Sequence, residues 1–360
     1  MIGKEAAMRF IHLADVHLGA KPDQRYPWST GRDQEIWETF RQVIEQAGRR
    51  QADLLLIAGD LFHGQPLLRE LKEVNYLFST IQDTEVVLIA GNHDYLRKNS
   101  AYCDFVWNKN VHFLKKTSMQ RVELSRIHTY VYGFSYDCQQ ITEERYAKAI
   151  PGQEEGFHIL LAHGGDGQHI PIQYGALAQA GFSYVALGHI HQPQILSRTQ
   201  KTAMAYSGSL EPIEKHEEGK HGYIWGEWKD QSLKLELVAA ARRAYETLTF
   251  PIQPNMGQYE IENGLQELIE KSGEENMYHL SLEGEKELGQ RIDKKRLYAL
   301  GRVVDVWDRT HAAYDLQELR RRYEGTLIGE YIRHFQGHPL SATEQKALDY
   351  GLQALLETKE

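Results

Sequence analysis

Five short stretches of this chain end in residues that bind metals or move protons. They are Asp15-Val16-His17, Gly59-Asp60 with His63 three residues on, Gly91-Asn92-His93-Asp94, His163-Gly164-Gly165 and Gly188-His189-Ile190-His191. Singly, each is weak, because Asn, Asp and Gly are ordinary turn formers. Together they offer four imidazoles (His17, His163, His189, His191), two carboxylates (Asp15, Asp60) and the amide oxygen of Asn92. Mixed nitrogen and oxygen donors without cysteine suit manganese, iron or zinc rather than a thiolate zinc site. Seven donors exceed the needs of one ion that must also hold water. The set therefore predicts two divalent ions sharing one carboxylate. Such a pair clamps a transferring phosphoryl group and activates water as hydroxide near neutral pH.

Each donor set follows an apolar run of strand length, as in "MRFIHL", "DLLLIA", "EVVLIA", "FHILLA" and "YVALG". Between them lie helical patterns. Residues 31–50 space Ile36, Phe40, Val43, Ile44 and Ala47 along one face, and 67–82 do the same with Leu71, Val74, Leu77, Phe78 and Ile81. Strand alternating with helix predicts a layered α/β sheet, whose sites form beyond the strand ends.

The 360 residues suggest two domains or three small ones, and 41% hydrophobic with 25% charged residues is an ordinary soluble globular composition. Net charge is −9, and neither residues 1–240 nor 241–360 carry a basic excess. A nucleic-acid substrate would thus need local patches, metal ions or a partner to supply positive field. Cys103 and Cys138 are too few for a disulfide framework and read as buried small apolar residues. No apolar run reaches membrane-span or signal-peptide length, so the expected compartment is the cytoplasm.

The order Asp-x-His, Gly-Asp, Gly-Asn-His-Asp, His, Gly-His-x-His resembles the signature of the calcineurin-like metallophosphoesterase superfamily over about residues 9–225. The resemblance implies a layered β-sandwich flanked by helices. It also implies roles. Asp15, His17 and His191 would hold the first ion, and Asn92, His163 and His189 the second, with Asp60 bridging. His93 would be no ligand but the general acid at the scissile phosphate. Asp94 would orient a neighbour or only turn the chain. Many members read Gly-Asp-x-x-Asp, whereas this chain has "GDLFH". That departure resembles the SbcD/YhaO-type DNA repair exonucleases, in which His63 would position His93 or the substrate phosphate. The segment "AYSGSLEPIEKHEEGKHGY" (205–223) is similar to that group's stretch after His-x-His, with Glu211-Pro212 where an arginine is common. Ser207, Gly208 and Ser209 form either a phosphate-facing turn or an ordinary one.

By this resemblance, residues 1–240 form the nuclease domain, 241–325 a small α/β capping domain and 326–360 a C-terminal helical segment. Residues 238–252 read as a crossing between domains. Beyond them the patterns predict helix 257–272, strand 277–284, helix 291–300, strand 303–308 and helix 314–323. Arg320, Arg321 and Arg322 either meet phosphates or form a solvated face. Ser341 and Glu344 make a capping box for a helix whose face of Leu348, Leu352, Leu355 and Leu356 is expected to dock a partner rather than fold back. The family implies a manganese-dependent exonuclease and endonuclease acting on DNA as a homodimer with an SbcC/YhaN-like coiled-coil ABC ATPase. A small-molecule phosphodiesterase, for instance for cyclic nucleotides, is the alternative.

Overall fold

The structure, a computed structural model, describes residues 7–198, 202–287 and 289–357. The chain divides into two compact units, Met1–Ala244 and Tyr245–Glu360.

In chain order the first unit contains β1 (Met8–Leu13), α1 (Arg32–Arg49), β2 (Leu54–Ala58), α2 (Leu68–Ser79), β3 (Glu85–Ile89), α3 (Ala101–Asp104), β4 (Val111–Phe113), β5 (Gln120–Leu124), β6 (Thr129–Gly133) and β7 (Phe157–His163). Then come α4 (Tyr174–Gln179), β8 (Tyr184–Gly188), β9 (Gln194–Arg198), β10 (Ala203–Tyr206), β11 (Gly222–Lys229) and β12 (Ser232–Ala239). Two six-stranded sheets result, ordered β12-β11-β1-β2-β3-β4 and β5-β6-β7-β8-β10-β9. β1, β2 and β3 run parallel, as do β7 and β8.

Period-two alternation sorts the strand side chains into layers. Phe10, Leu54, Leu56, Val87 and Ile89 face Phe157, Ile159, Leu161 and Tyr184 across the sandwich. Ile11, Leu13, Leu55, Ile57, Val86 and Leu88 point the other way, onto Ile36, Phe40, Val43 and Ile44 of α1 and Leu71, Val74 and Phe78 of α2. Leu160, Ala162, Val185 and Leu187 pack outward against Leu177 of α4 and Phe182. The expected α/β sandwich flanked by helices is therefore the observed architecture. β2 is buried throughout, which is why it reads as an unbroken apolar run.

The second unit contains β13 (Tyr245–Ile252), α5 (Gln258–Ser272), β14 (Met277–Lys286), α6 (Lys294–Leu297), β15 (Val303–Ala312), α7 (Leu316–Arg322), α8 (Leu327–His334) and α9 (Ala342–Glu357). Its three strands are parallel, in the order β13-β14-β15. Residues 245–252, expected as part of a crossing, are a strand. Pro251 obscures it, but β13 is an edge strand, where a missing N–H is tolerated. The helix expected over 291–300 is only the single turn α6.

The Ser341–Glu344 capping box forms, with Ser341 N–H donating to Glu344 Oε2 at 2.8 Å. The α9 face is not left open for a partner as expected. Leu348 and Leu352 are buried against Ile328 and Ile332 of α8, because two short amphipathic helices bury more apolar surface together than apart. Arg320 donates to Gln336 Oε1 at 2.9 Å. Cys138 is exposed and Cys103 half-buried, so neither is the core residue expected. No described helix is long and apolar enough to cross a membrane.

Candidate metal centre

Five strands, β1, β2 and β3 parallel in one sheet and β7 and β8 parallel in the other, deliver their C-terminal ends to one rim, and the chain bends sharply there. Asp15, His17, Asp60 and His189 take positive φ values of 50°, 53°, 50° and 96°. For residues with a Cβ this is strained backbone, costing roughly 1–3 kcal/mol each. The bends are held by neighbouring strands. Asp15 N–H donates to Gly59 O (3.2 Å) and His17 N–H to Asp60 O (3.0 Å). Gly91 is required by close approach, since a Cβ there would sit 2.3 Å from Asp60 Oδ1.

All seven expected donors come together. Asp15, His17, Asp60, Asn92 and His163 are buried, and His189 and His191 are nearly so. Asp15, His17 and His191 bring one ligand atom each to within 4.8 Å of one another, as do Asp15, Asp60 and His163. His17 Nε2 lies 3.1 Å from His191 Nε2. On the other side, Asn92 Oδ1 lies 2.8 Å from His163 Nε2 and 3.1 Å from His189 Nδ1. Asp60 Oδ2 stands between the groups, 3.4 Å from His163 Nε2 and 4.0 Å from His17 Nε2.

The outward nitrogens of three of these histidines are already engaged. His163 Nδ1 is 2.8 Å from Ala58 O, a bond only an N–H can make. His189 Nε2 meets Asp166 Oδ2 at 2.8 Å, and His191 Nδ1 meets Glu217 Oε1 at 2.8 Å. Each bond fixes one proton outside and turns a lone pair inward, the usual arrangement behind metal-binding imidazoles. Asp166 and Glu217 were not foreseen. Asp166 stood in plain view in "HGGDG", whereas Glu217 lies 26 residues from its histidine with no motif spacing to mark it.

The charges ask for a cation. Among the described residues neither Asp15 nor Asp60 has a lysine or arginine ion pair. Burial works against protonating His163 and His191. Yet Asp60 and Asp15 hold His163 up to about 9, and Glu217 with Asp15 does the same for His191. Burial pushes the Asp15 carboxyl up to about 6. Burial also opposes the charge on Asp60, but the neighbouring His163 and His17 keep it below the usual carboxylate range. Burial holds His17 well below its ordinary value and His189 down at about 4. Two protons are thus drawn onto imidazoles in a pocket whose lone pairs converge. The donor set fits divalent cations in their place.

His93 stands at the edge of this group. Its ring lies 4.8 Å from that of His17 and stacks on His63 at 5.1 Å. Its Nδ1 is 3.2 Å from the His63 carbonyl, so Nδ1 carries the proton there and Nε2 is the unengaged atom. His93 N–H donates to Asp60 Oδ1 at 2.9 Å. His63 Nδ1 lies 3.4 Å from His17 Nδ1, beside the site. Asp94 is fully buried and accepts from Gly91 N–H (2.8 Å) and Phe62 N–H (3.2 Å), tying two of the loops together. Ser209 N–H donates to His191 O at 2.9 Å, so it is not turned toward a phosphate.

Residues 8–193 match the family of calcineurin-like phosphoesterases. The metallophosphoesterase YhaO of Bacillus subtilis (strain 168) is 30% identical over 237 residues, covering 60% of this chain and 56% of that one. The DNA double-strand break repair protein Mre11 of Methanocaldococcus jannaschii is 30% identical over 60% of this chain and 62% of its own. That of Saccharolobus solfataricus is 26% identical over 81% of this chain and 78% of its own. The chain thus spans 56% and 62% of the lengths of the first two relatives.

Proposed function

This chain belongs to the calcineurin-like phosphoesterase family, hydrolases that use divalent metal ions, and from that premise we propose that it is a manganese-dependent DNA nuclease. It would cleave phosphodiesters as a 3′-to-5′ exonuclease with single-strand endonuclease action, as a homodimer with an SbcC/YhaN-like ATPase. The observation that carries the hydrolytic part is the convergence of seven donors with His93 beside them. The DNA part rests on similarity to proteins named for double-strand break repair.

Asp15, His17 and His191 would hold one ion, and Asn92, His163 and His189 a second, with Asp60 shared. Bound divalent ions supply charge neutralisation at the phosphate and a lowered pKa for water. The protein's own residues do the rest. The His63 carbonyl keeps the His93 ring in one orientation, with Nε2 free to meet the substrate. As a water oxygen gives up a proton to solvent and bonds to phosphorus, the bond from phosphorus to the leaving 3′ oxygen would break. With one proton held on Nδ1 by the His63 carbonyl, His93 would act as the acid in its doubly protonated form, passing the second proton from Nε2 to that oxygen. Asp94 holds the loop that carries Asn92 and His93 against the Phe62 backbone. The second unit is assigned the role of a cap that contacts DNA.

The test is incubation with manganese, end-labelled duplex DNA and, separately, a chromogenic phosphodiester, with His93→Ala as control. Stepwise shortening of DNA by wild type alone is expected. Hydrolysis of the small ester with DNA untouched, even after addition of the ATPase, would overturn the DNA assignment and favour a small-nucleotide phosphodiesterase.

A further inference from the structure

The stretch between His191 and β11 contains a buried polar chain that the reaction above does not use. Glu217 is 2% exposed, Ser209 0% and His221 1%. The Glu217 carboxylate accepts four hydrogen bonds. Oε1 takes the Glu214 N–H (3.1 Å) and meets His191 Nδ1 (2.8 Å). Oε2 takes the Ser209 hydroxyl (2.7 Å) and the Ile213 N–H (3.2 Å). An ionised carboxylate has about four acceptor sites and no donor, so its capacity is full.

That fact sets the direction of every proton nearby. The Ser209 hydroxyl has one hydrogen, and the carboxylate takes it. Ser209 Oγ must then accept from His221 Nδ1, 2.9 Å away. At the other end, His191 must present Nδ1–H to Glu217, which leaves Nε2, 3.1 Å from His17 Nε2, as the nitrogen on which a cation can take a proton's place. The backbone supports the same geometry. Gly208 has φ of 75°, and a Cβ on it would meet His191 O at 2.5 Å. Only glycine lets the 207–209 turn lie under His191 and bring Ser209 N–H to its carbonyl.

We propose that Glu217 is the positioning residue of His191, and that the Ser209–His221 pair behind it locks the imidazole in the form that offers Nε2 to a metal ion. The proposal rests on the reading of His191 as a ligand. It gives the Ser-Gly-Ser segment a purpose: the turn does not touch substrate but aims a ligand.

Glutamine at 217 tests this at nearly constant volume. It has one acceptor oxygen where the carboxylate has two, so an NH2 group must face either His191 or the Ser209 side. Zinc, which is diamagnetic, is titrated calorimetrically into metal-free wild type, Glu217→Gln, Ser209→Ala and His191→Ala. The His191 ring nitrogens are followed by ¹⁵N NMR in the same samples. In Glu217→Gln one of two zinc sites is expected to weaken roughly 10- to 100-fold, the range seen for outer partners of metal-binding histidines. The ¹⁵N pattern of His191 should shift with it. Ser209→Ala should weaken the same site by less. Wild-type affinity and an unshifted His191 in Glu217→Gln overturn the proposal. Equal weakening of both sites, in step with a lowered melting temperature of the metal-free protein, overturns it as well, since that is what a merely structural glutamate would give. If Glu217→Gln does not fold, Ser209→Ala decides by the same criteria. If His191→Ala itself keeps both sites at wild-type affinity, the ligand reading fails first and the positioning role falls with it.

Discussion

Both units of the molecule build parallel strands with helices packed across them, yet their backbones differ at the strand ends. Eleven non-glycine residues have φ in the left-handed region among the described residues, and all lie before residue 245. Four of them, Asp15, His17, Asp60 and His189, carry the candidate metal donors. In the second unit only glycines take positive φ, at 273, 284, 289, 325 and 337. The same strand-and-helix construction is thus relaxed in one unit and strained in the other. Strain of this kind persists only where packing over-determines it. The buried strands β1, β2 and β8 provide that packing, and they spend it where imidazoles and carboxylates must meet at one point.

The contrast predicts that first-unit changes at the rim abolish chemistry, whereas changes in the apolar core of the second unit alter stability and leave metal binding at the rim untouched. The largest effect should come from Asp60→Asn, which removes charge from the carboxylate proposed to be shared by the two ions. Phosphodiester hydrolysis is expected to fall by about 10³-fold or more, with loss of bound metal by elemental analysis. His93→Ala should follow, losing about 10²- to 10⁴-fold in turnover with metal content intact. Retained turnover would remove the acid role assigned to it. Leu352→Ala, in the second unit, should destabilise the α8–α9 pair by about 3 kcal/mol, read by hydrogen exchange, and leave zinc affinity at the rim unchanged. A change in that affinity would break the separation between the units.

The smallest effect concerns pH. His12 is buried, bonded through Nδ1 to Tyr184 OH at 2.8 Å, and burial lowers its pKa to about 3. The unfolded chain, near 6.5, takes up the proton first as pH falls. Stability should therefore decline from pH 6.5 toward 3, by about 2 kcal/mol at pH 5. His12→Gln should flatten this slope in denaturant melts at pH 7 and 5, and an unchanged slope would mean that other groups dominate.

The rim was legible in the chain because each of its strands is a contiguous apolar run followed at once by its donors. Asp15, Asp60 and Asn92 needed no knowledge of distant contacts. Glu217 did, because its meaning comes from a bond across 26 residues that no periodicity encodes. β13 was hidden by Pro251, which only the strand's edge position excuses. The α9 face was misjudged for a related reason. An apolar stripe states that something covers it, and only the folded chain shows that α8 does.

Asp60 reaches in two directions: Oδ2 toward the imidazoles and Oδ1 toward the amide of His93. With ions held as proposed, one carboxylate would couple occupancy of the centre to the order of the loop that carries His93. By thermodynamic reciprocity, whatever tightens one grip tightens the other. The exchange rate of the His93 amide proton with deuterium becomes a gauge of loading, slowing as zinc is added and unresponsive in Asp60→Asn.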